Sequence, residues 1–73
     1  MPEMYETLLK KILEEKGVSL YILSRLTGIS RQSLSNYANG RRHPDIPTAV
    51  KIIKALQLDE MIIYRLFEPC NAW

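Results

Sequence analysis

The sequence predicts an all-α fold, a compact bundle of five short helices. Three observations point to it. Apolar residues recur at i, i+3, i+4 and i+7 in successive stretches, the spacing of one helix face. The chain has only three glycines, Gly17, Gly28 and Gly40, and each closes such a stretch where a left-handed cap residue would sit. No segment alternates apolar and polar residues between turns as a strand would. Residues 1–73 contain no internal repeat, low-complexity segment or linker, so they read as a single domain with a short C-terminal tail at 69–73.

Helix 1 is expected over Glu3–Lys16, with Tyr5, Leu8, Leu9, Ile12 and Leu13 inward, acids leading and lysines trailing along the helix dipole. Ser19 is a good N-cap for helix 2, Leu20 to about Thr27, with Leu23 and Leu26 inward. Gly28-Ile29 forms a short turn, and Ser30 caps helix 3 from Arg31 to about Asn39, with Leu34 and Tyr37 inward. Asn39-Gly40 is a turn dipeptide, and a loop runs from Arg41 to Pro44. Asp45 caps helix 4, which tolerates Pro47 in its first turn and turns Ala49, Val50, Ile53 and Leu56 inward. Asp59 caps helix 5, which runs to about Glu68 and stops at Pro69.

A chain of this length buries only about 60% of its unfolded surface, so its stability margin is thin. The single cysteine, Cys70, excludes an intramolecular disulfide, and the single histidine, His43, excludes a His-rich metal site. No apolar run is longer than Met61 to Tyr64, too short to span a membrane, and the early Glu3 and Glu6 do not suit a signal peptide. The expected compartment is a reducing cytoplasm. Catalysis is not expected: His43 and Cys70 are the only strong base and nucleophile, the glycines are too far apart to cradle a phosphate, and no zinc-ligand spacing occurs. No cofactor is expected.

The net charge of +2 conceals a strong asymmetry. From Gly17 to Pro44 there is no Asp or Glu, and Arg25, Arg31, Arg41 and Arg42 give that stretch +4 against −2 for the remainder. The simplest reason for such a block is an anionic partner. Two short helices joined by a tight Gly-containing turn make a helix-turn-helix, here over residues 19–39. Leu23, Ile29 and Leu34 sit where two crossing helices share a core, and the small Ser24 permits close approach. The outward face of helix 3 is then Arg31, Gln32, Ser35, Asn36 and Asn39, all polar and none acidic. Arg can bridge guanine O6 and N7, and Gln or Asn can bridge adenine N6 and N7. A face that was merely solvated would mix in Lys, Glu and Asp.

The segment GISRQSLSNYANGRRHP resembles the Cro/phage-repressor-like, or xenobiotic-response-element, helix-turn-helix family, and the resemblance extends from about Thr7 to Phe67. It implies a lambda-repressor-like fold and a sequence-specific regulator that binds double-stranded DNA, of repressor type from a phage or mobile element. Carried over residue by residue, it implies base contacts from Arg31, Gln32 and Asn36, with Ser35 as a neighbour on base or backbone. It implies phosphate contacts from Ser30 and Ser33, and sugar–phosphate contacts from Asn39, Gly40 and Arg41. Two positions depart from the family pattern: Leu20 stands where Gln commonly binds phosphate, and Ala38 where Glu is common.

Arg41 and Arg42 read as a phosphate clamp following the recognition helix, with His43 as a loop residue in incidental contact. Arg25 is as consistent with solvation as with a phosphate contact. Met61, Ile62, Ile63, Tyr64, Leu66 and Phe67 exceed what one face of a short helix can bury. That surplus, with Trp73, points to a homodimer through the C-terminal segment, as expected of a protein that binds paired half-sites. Cys70 reads as a bystander. The competing function is a protein-interaction module, an antitoxin or anti-repressor that keeps the fold with weak or no DNA binding. RNA binding ranks third, for want of an aromatic platform.

Overall fold

The computed structural model describes residues 6–68. Their regular elements are four α-helices, α1 (Leu8–Lys16), α2 (Leu20–Thr27), α3 (Arg31–Ala38) and α4 (Ile46–Ala55), followed by a 3-10 turn, Glu60–Tyr64. Each begins at a side-chain oxygen that accepts from a backbone N–H of the first turn: Thr7, Ser19, Ser30, Asp45 and Asp59. α2 packs on α3 and on α4, α4 on the 3-10 turn, and α1 on α3. Between them lies one core of Leu9, Leu13, Leu23, Leu34, Ala38, Ala49, Ile52, Ile53, Leu56, Leu66 and Phe67.

α1 begins later than its apolar spacing suggests. Its expected first turn falls partly on residues 1–5, Tyr5 among them, outside the described residues; Glu6 and Thr7 are not helical. The reason lies at the far end of the chain. The first N–H groups of any helix lack partners within it. Here Leu8 N donates to the Glu68 carbonyl (3.1 Å) and Leu9 N to the Leu66 carbonyl (2.9 Å). Lys10 N donates to Thr7 Oγ1 (3.2 Å). Thr7 is fully buried, and its hydroxyl donates in turn to the Ala38 carbonyl at the end of α3 (2.7 Å). One side chain thus caps α1 and ties it to α3. Thr7→Val, which keeps the shape and removes the hydroxyl, is expected to cost about 1–3 kcal/mol in a denaturant melt, the penalty of orphaning buried polar groups.

The inward stripe of α2 also differs from expectation. Leu23 is fully buried, but Leu26 is 60% exposed. The face turned inward is Leu20, Leu23, Ser24 and Thr27, whose two hydroxyl residues do not read as core. The turn satisfies them. Ser24 Oγ donates to the Ile29 carbonyl (2.6 Å), and Thr27 Oγ1 donates to the Leu23 carbonyl (2.8 Å) and accepts from Ile29 N (3.2 Å). Ser24 therefore fastens the turn as well as allowing close approach. Gly28 caps α2 with φ 77°, and a Cβ built there meets nothing within 4 Å. Glycine is required there for its backbone conformation, not for space.

On α3, Leu34 and Ala38 are buried, and Tyr37 is half-buried with its ring edge-on to Phe67 at 6.3 Å. The inward face of α4 is Ala49, Ile52, Ile53 and Leu56, with Val50 only half-buried. The hydrogen bond from Thr48 to the Asp45 side chain, which also accepts from Thr48 N (3.0 Å), holds that carboxyl below its usual value. The cap's contribution is thus present above the ordinary Asp value of about 4 and is lost as pH falls through the depressed one. Asp45→Ala is expected to lower the melting temperature at neutral pH, and the gap from the parent chain to narrow in strong acid.

The expected fifth α-helix is instead the short 3-10 turn. Asp59 Oδ1 accepts from Met61 N (2.9 Å), two residues on. Ile62 O accepts from both Arg65 N (2.9 Å) and Leu66 N (2.8 Å). The carbonyls of Leu66 and Glu68 are committed to α1, and adjacent Leu66 and Phe67 are both buried. A continuing helix would turn one of that pair about 100° away from the other. The expected stop at Pro69, Cys70, Trp73 and the tail 69–73 lie outside the described residues.

Candidate nucleic-acid interface

The whole acid-free stretch folds into one contiguous region, α2, its turn, α3 and the following loop. Arg31, Gln32, Ser35 and Asn36 occupy successive positions i, i+1, i+4 and i+5 of α3 and so share one face. Arg31 and Gln32 are exposed, and Ser35 and Asn36 half-buried. Arg31, Gln32 and Ser35 line a shallow cleft with Leu20 and Tyr21 at the start of α2.

The predicted backbone-contacting residues flank that face. At one end, Ser30 Oγ accepts from Ser33 N (3.2 Å) and donates to Ser33 Oγ (3.0 Å). Ser30 thus caps α3, and the paired Ser30 and Ser33 hydroxyls, with two protons and one mutual bond, keep one proton to offer an anion. At the other end, Asn39 Nδ2 donates to Ser35 Oγ (3.3 Å), tying the helix end to the face. Gly40, at φ 76°, reverses the chain. The Asn36 carbonyl then accepts from Arg41 N (2.9 Å) and Arg42 N (3.4 Å). These bonds curl the loop back onto the end of α3, where Arg41 and Arg42 are both exposed. His43 Nε2 stands 3.9 Å from Glu68 Oε2 on the surface. Its neighbour is a carboxylate from the chain's far end, which the sequence alone does not reveal.

Tyr21 is the residue at this surface that sequence reasoning passes over. It is 54% exposed, and both the Arg25 and Arg31 guanidinium carbons lie over its ring, 5.8 and 5.7 Å from the centroid. Its only signal in the sequence is the i, i+4 spacing to Arg25. Ala38, one of the two departures from the family pattern, is buried rather than presented outward.

The profile of the Helix-turn-helix family matches residues 9–62, from α1 into the 3-10 turn. The chain belongs to the helix-turn-helix family. This helix-turn-helix chain is also similar to TK0539 of Thermococcus kodakarensis, a protein whose name provisionally assigns it as an HTH-type transcriptional regulatory protein. They are 39% identical over 64 residues, which cover 88% of this chain and 18% of the relative. The helix-turn-helix chain thus spans less than a fifth of that relative's length. No helix among the described residues is long and apolar enough to cross a membrane.

Proposed function

We propose that this chain is a sequence-specific regulator that binds double-stranded DNA, of repressor type, with α3 seated in the major groove. The observation that carries the reading is the face Arg31, Gln32, Ser35 and Asn36, flanked at both ends by candidate backbone contacts within a stretch that has no acid. The N-terminal residues of a recognition helix reach base edges, and Arg31 and Gln32 hold those positions. Ser30, Ser33, Asn39, Gly40, Arg41 and Arg42 supply contacts to phosphate and sugar, which fix register and carry most of the affinity. Ser30 also caps α3. Membership of the helix-turn-helix family and the regulator name of the relative support the same reading.

The protein works in the cytoplasm as a homodimer formed through its C-terminal segment. Met61, Tyr64 and Ile46 support that interface, being 70%, 73% and 66% exposed. Ile46 and Tyr64 line one groove with Ala49, Ile63 and Phe67. Selection from a random duplex pool at physiological salt tests the proposal. An enriched inverted repeat is expected, and its half-site spacing gives the dimer geometry. Enrichment of a single half-site would remove the dimer. Retention of no sequence even at low salt would assign the basic face to a protein partner.

A further inference from the structure

We propose that Tyr21 is the positioning residue for Arg31, holding its guanidinium ready for the base it reads and so setting specificity at that base pair; this rests on the DNA-reading role of Arg31. Arg31 is exposed on the first turn of an eight-residue helix, where a long side chain would sample many rotamers. Its guanidinium instead lies over the Tyr21 ring, 5.7 Å from the centroid. A guanidinium drawn over an aromatic face by cation–π attraction makes no hydrogen bond to it, so its N–H donors stay available for two parallel bonds to guanine.

The ring is itself restrained. Arg25, one turn further along α2, lies over it at 5.8 Å, and Arg25 Nη1 approaches the Tyr21 hydroxyl at 3.4 Å. That hydrogen bond is long and weak, so the ring rather than the hydroxyl is the working part. Two like charges gather on one exposed tyrosine in a stretch that offers no carboxylate to either. The same tyrosine lines the cleft shared by Leu20, Arg31, Gln32 and Ser35. It thus links the start of α2 to the reading face of α3 at the point where Leu20 replaces the family's phosphate-binding Gln.

The test compares the parent chain with Tyr21→Phe, Tyr21→Leu, Tyr21→Gln and Arg31→Ala on the duplex enriched from a random pool and its single-base variants. Thermal melts identify which variants fold; Tyr21→Gln stands in if Tyr21→Leu does not. Tyr21→Phe is expected to keep the parent discrimination. Tyr21→Leu or Tyr21→Gln is expected to lose about three- to tenfold at the base pair read by Arg31, with the other positions unchanged, in keeping with a cation–π contact that DNA partly dries. Combined with Arg31→Ala, either should add no further loss at that base pair. The proposal is overturned if Tyr21→Leu and Tyr21→Gln leave discrimination intact, if they weaken all sequences evenly, or if Tyr21→Phe is as damaging as they are. If Arg31→Ala itself leaves discrimination unchanged, or the parent chain enriches no sequence, the DNA-reading role of Arg31 fails and the role of Tyr21 falls with it.

Discussion

Arg31→Ala is expected to cost about 1–3 kcal/mol of specific DNA affinity and to relax the site at one base pair. The magnitude is that of one bidentate base contact, and its confinement to one position follows from the place of Arg31 on the first turn of α3. Arg41→Ala should behave differently. Its backbone N–H holds the loop against the Asn36 carbonyl, a bond that alanine keeps, so only the side chain is lost. Affinity should fall for all sequences alike, and the slope of log affinity against log salt should flatten by about one unit. Binding to the selected duplex and its single-base variants at several salt concentrations separates the two patterns. A uniform loss from both substitutions would dissolve the proposed division between base-reading and phosphate-holding residues.

The second large effect concerns stability. Leu23 is fully buried on α2, the helix that packs on both α3 and α4. Leu23→Ala is expected to cost about 2–5 kcal/mol, from lost transfer free energy and the cavity left behind. A domain of this length has roughly 4–11 kcal/mol to lose, at 0.05–0.15 kcal/mol per residue. The variant should therefore melt far below the parent chain, and DNA binding should disappear with the fold. Leu26→Ala is the control. Leu26 occupies the same helix but faces solvent, and its replacement should leave the melt nearly unchanged.

The parts of the structure legible in the sequence are those decided by near neighbours. Ser19, Ser30, Asp45 and Asp59 each cap the element that follows, and Gly17, Gly28 and Gly40 all adopt positive φ. The polar face of α3 was legible for the same reason, because residues four apart on a helix must lie together. What escaped was decided at long range. α1 starts at Leu8 because carbonyls some sixty positions along the chain accept its first N–H groups. Leu26 lost its expected place to Ser24 and Thr27, whose hydroxyls look soluble until the turn binds them. The last segment reads as a helix from composition, yet burying adjacent Leu66 and Phe67 breaks the helical period. At the candidate interface, the Tyr21–Arg31 cation–π contact joins two elements across a turn, and no spacing rule for a single helix contains it.

The bonds from Leu8 and Leu9 to Glu68 and Leu66 bring the two borders of the described domain to one point. A unit whose entrance and exit coincide behaves as a plug-in part. It should splice into an exposed loop of a host protein with little linker, since the host's backbone is scarcely pried open. The same adjacency makes those paired bonds the first to bear load when the borders are drawn apart. Anything fused before and after the domain hangs from one anchor, and its mechanical release would begin at that anchor while α2 and α3 remain together.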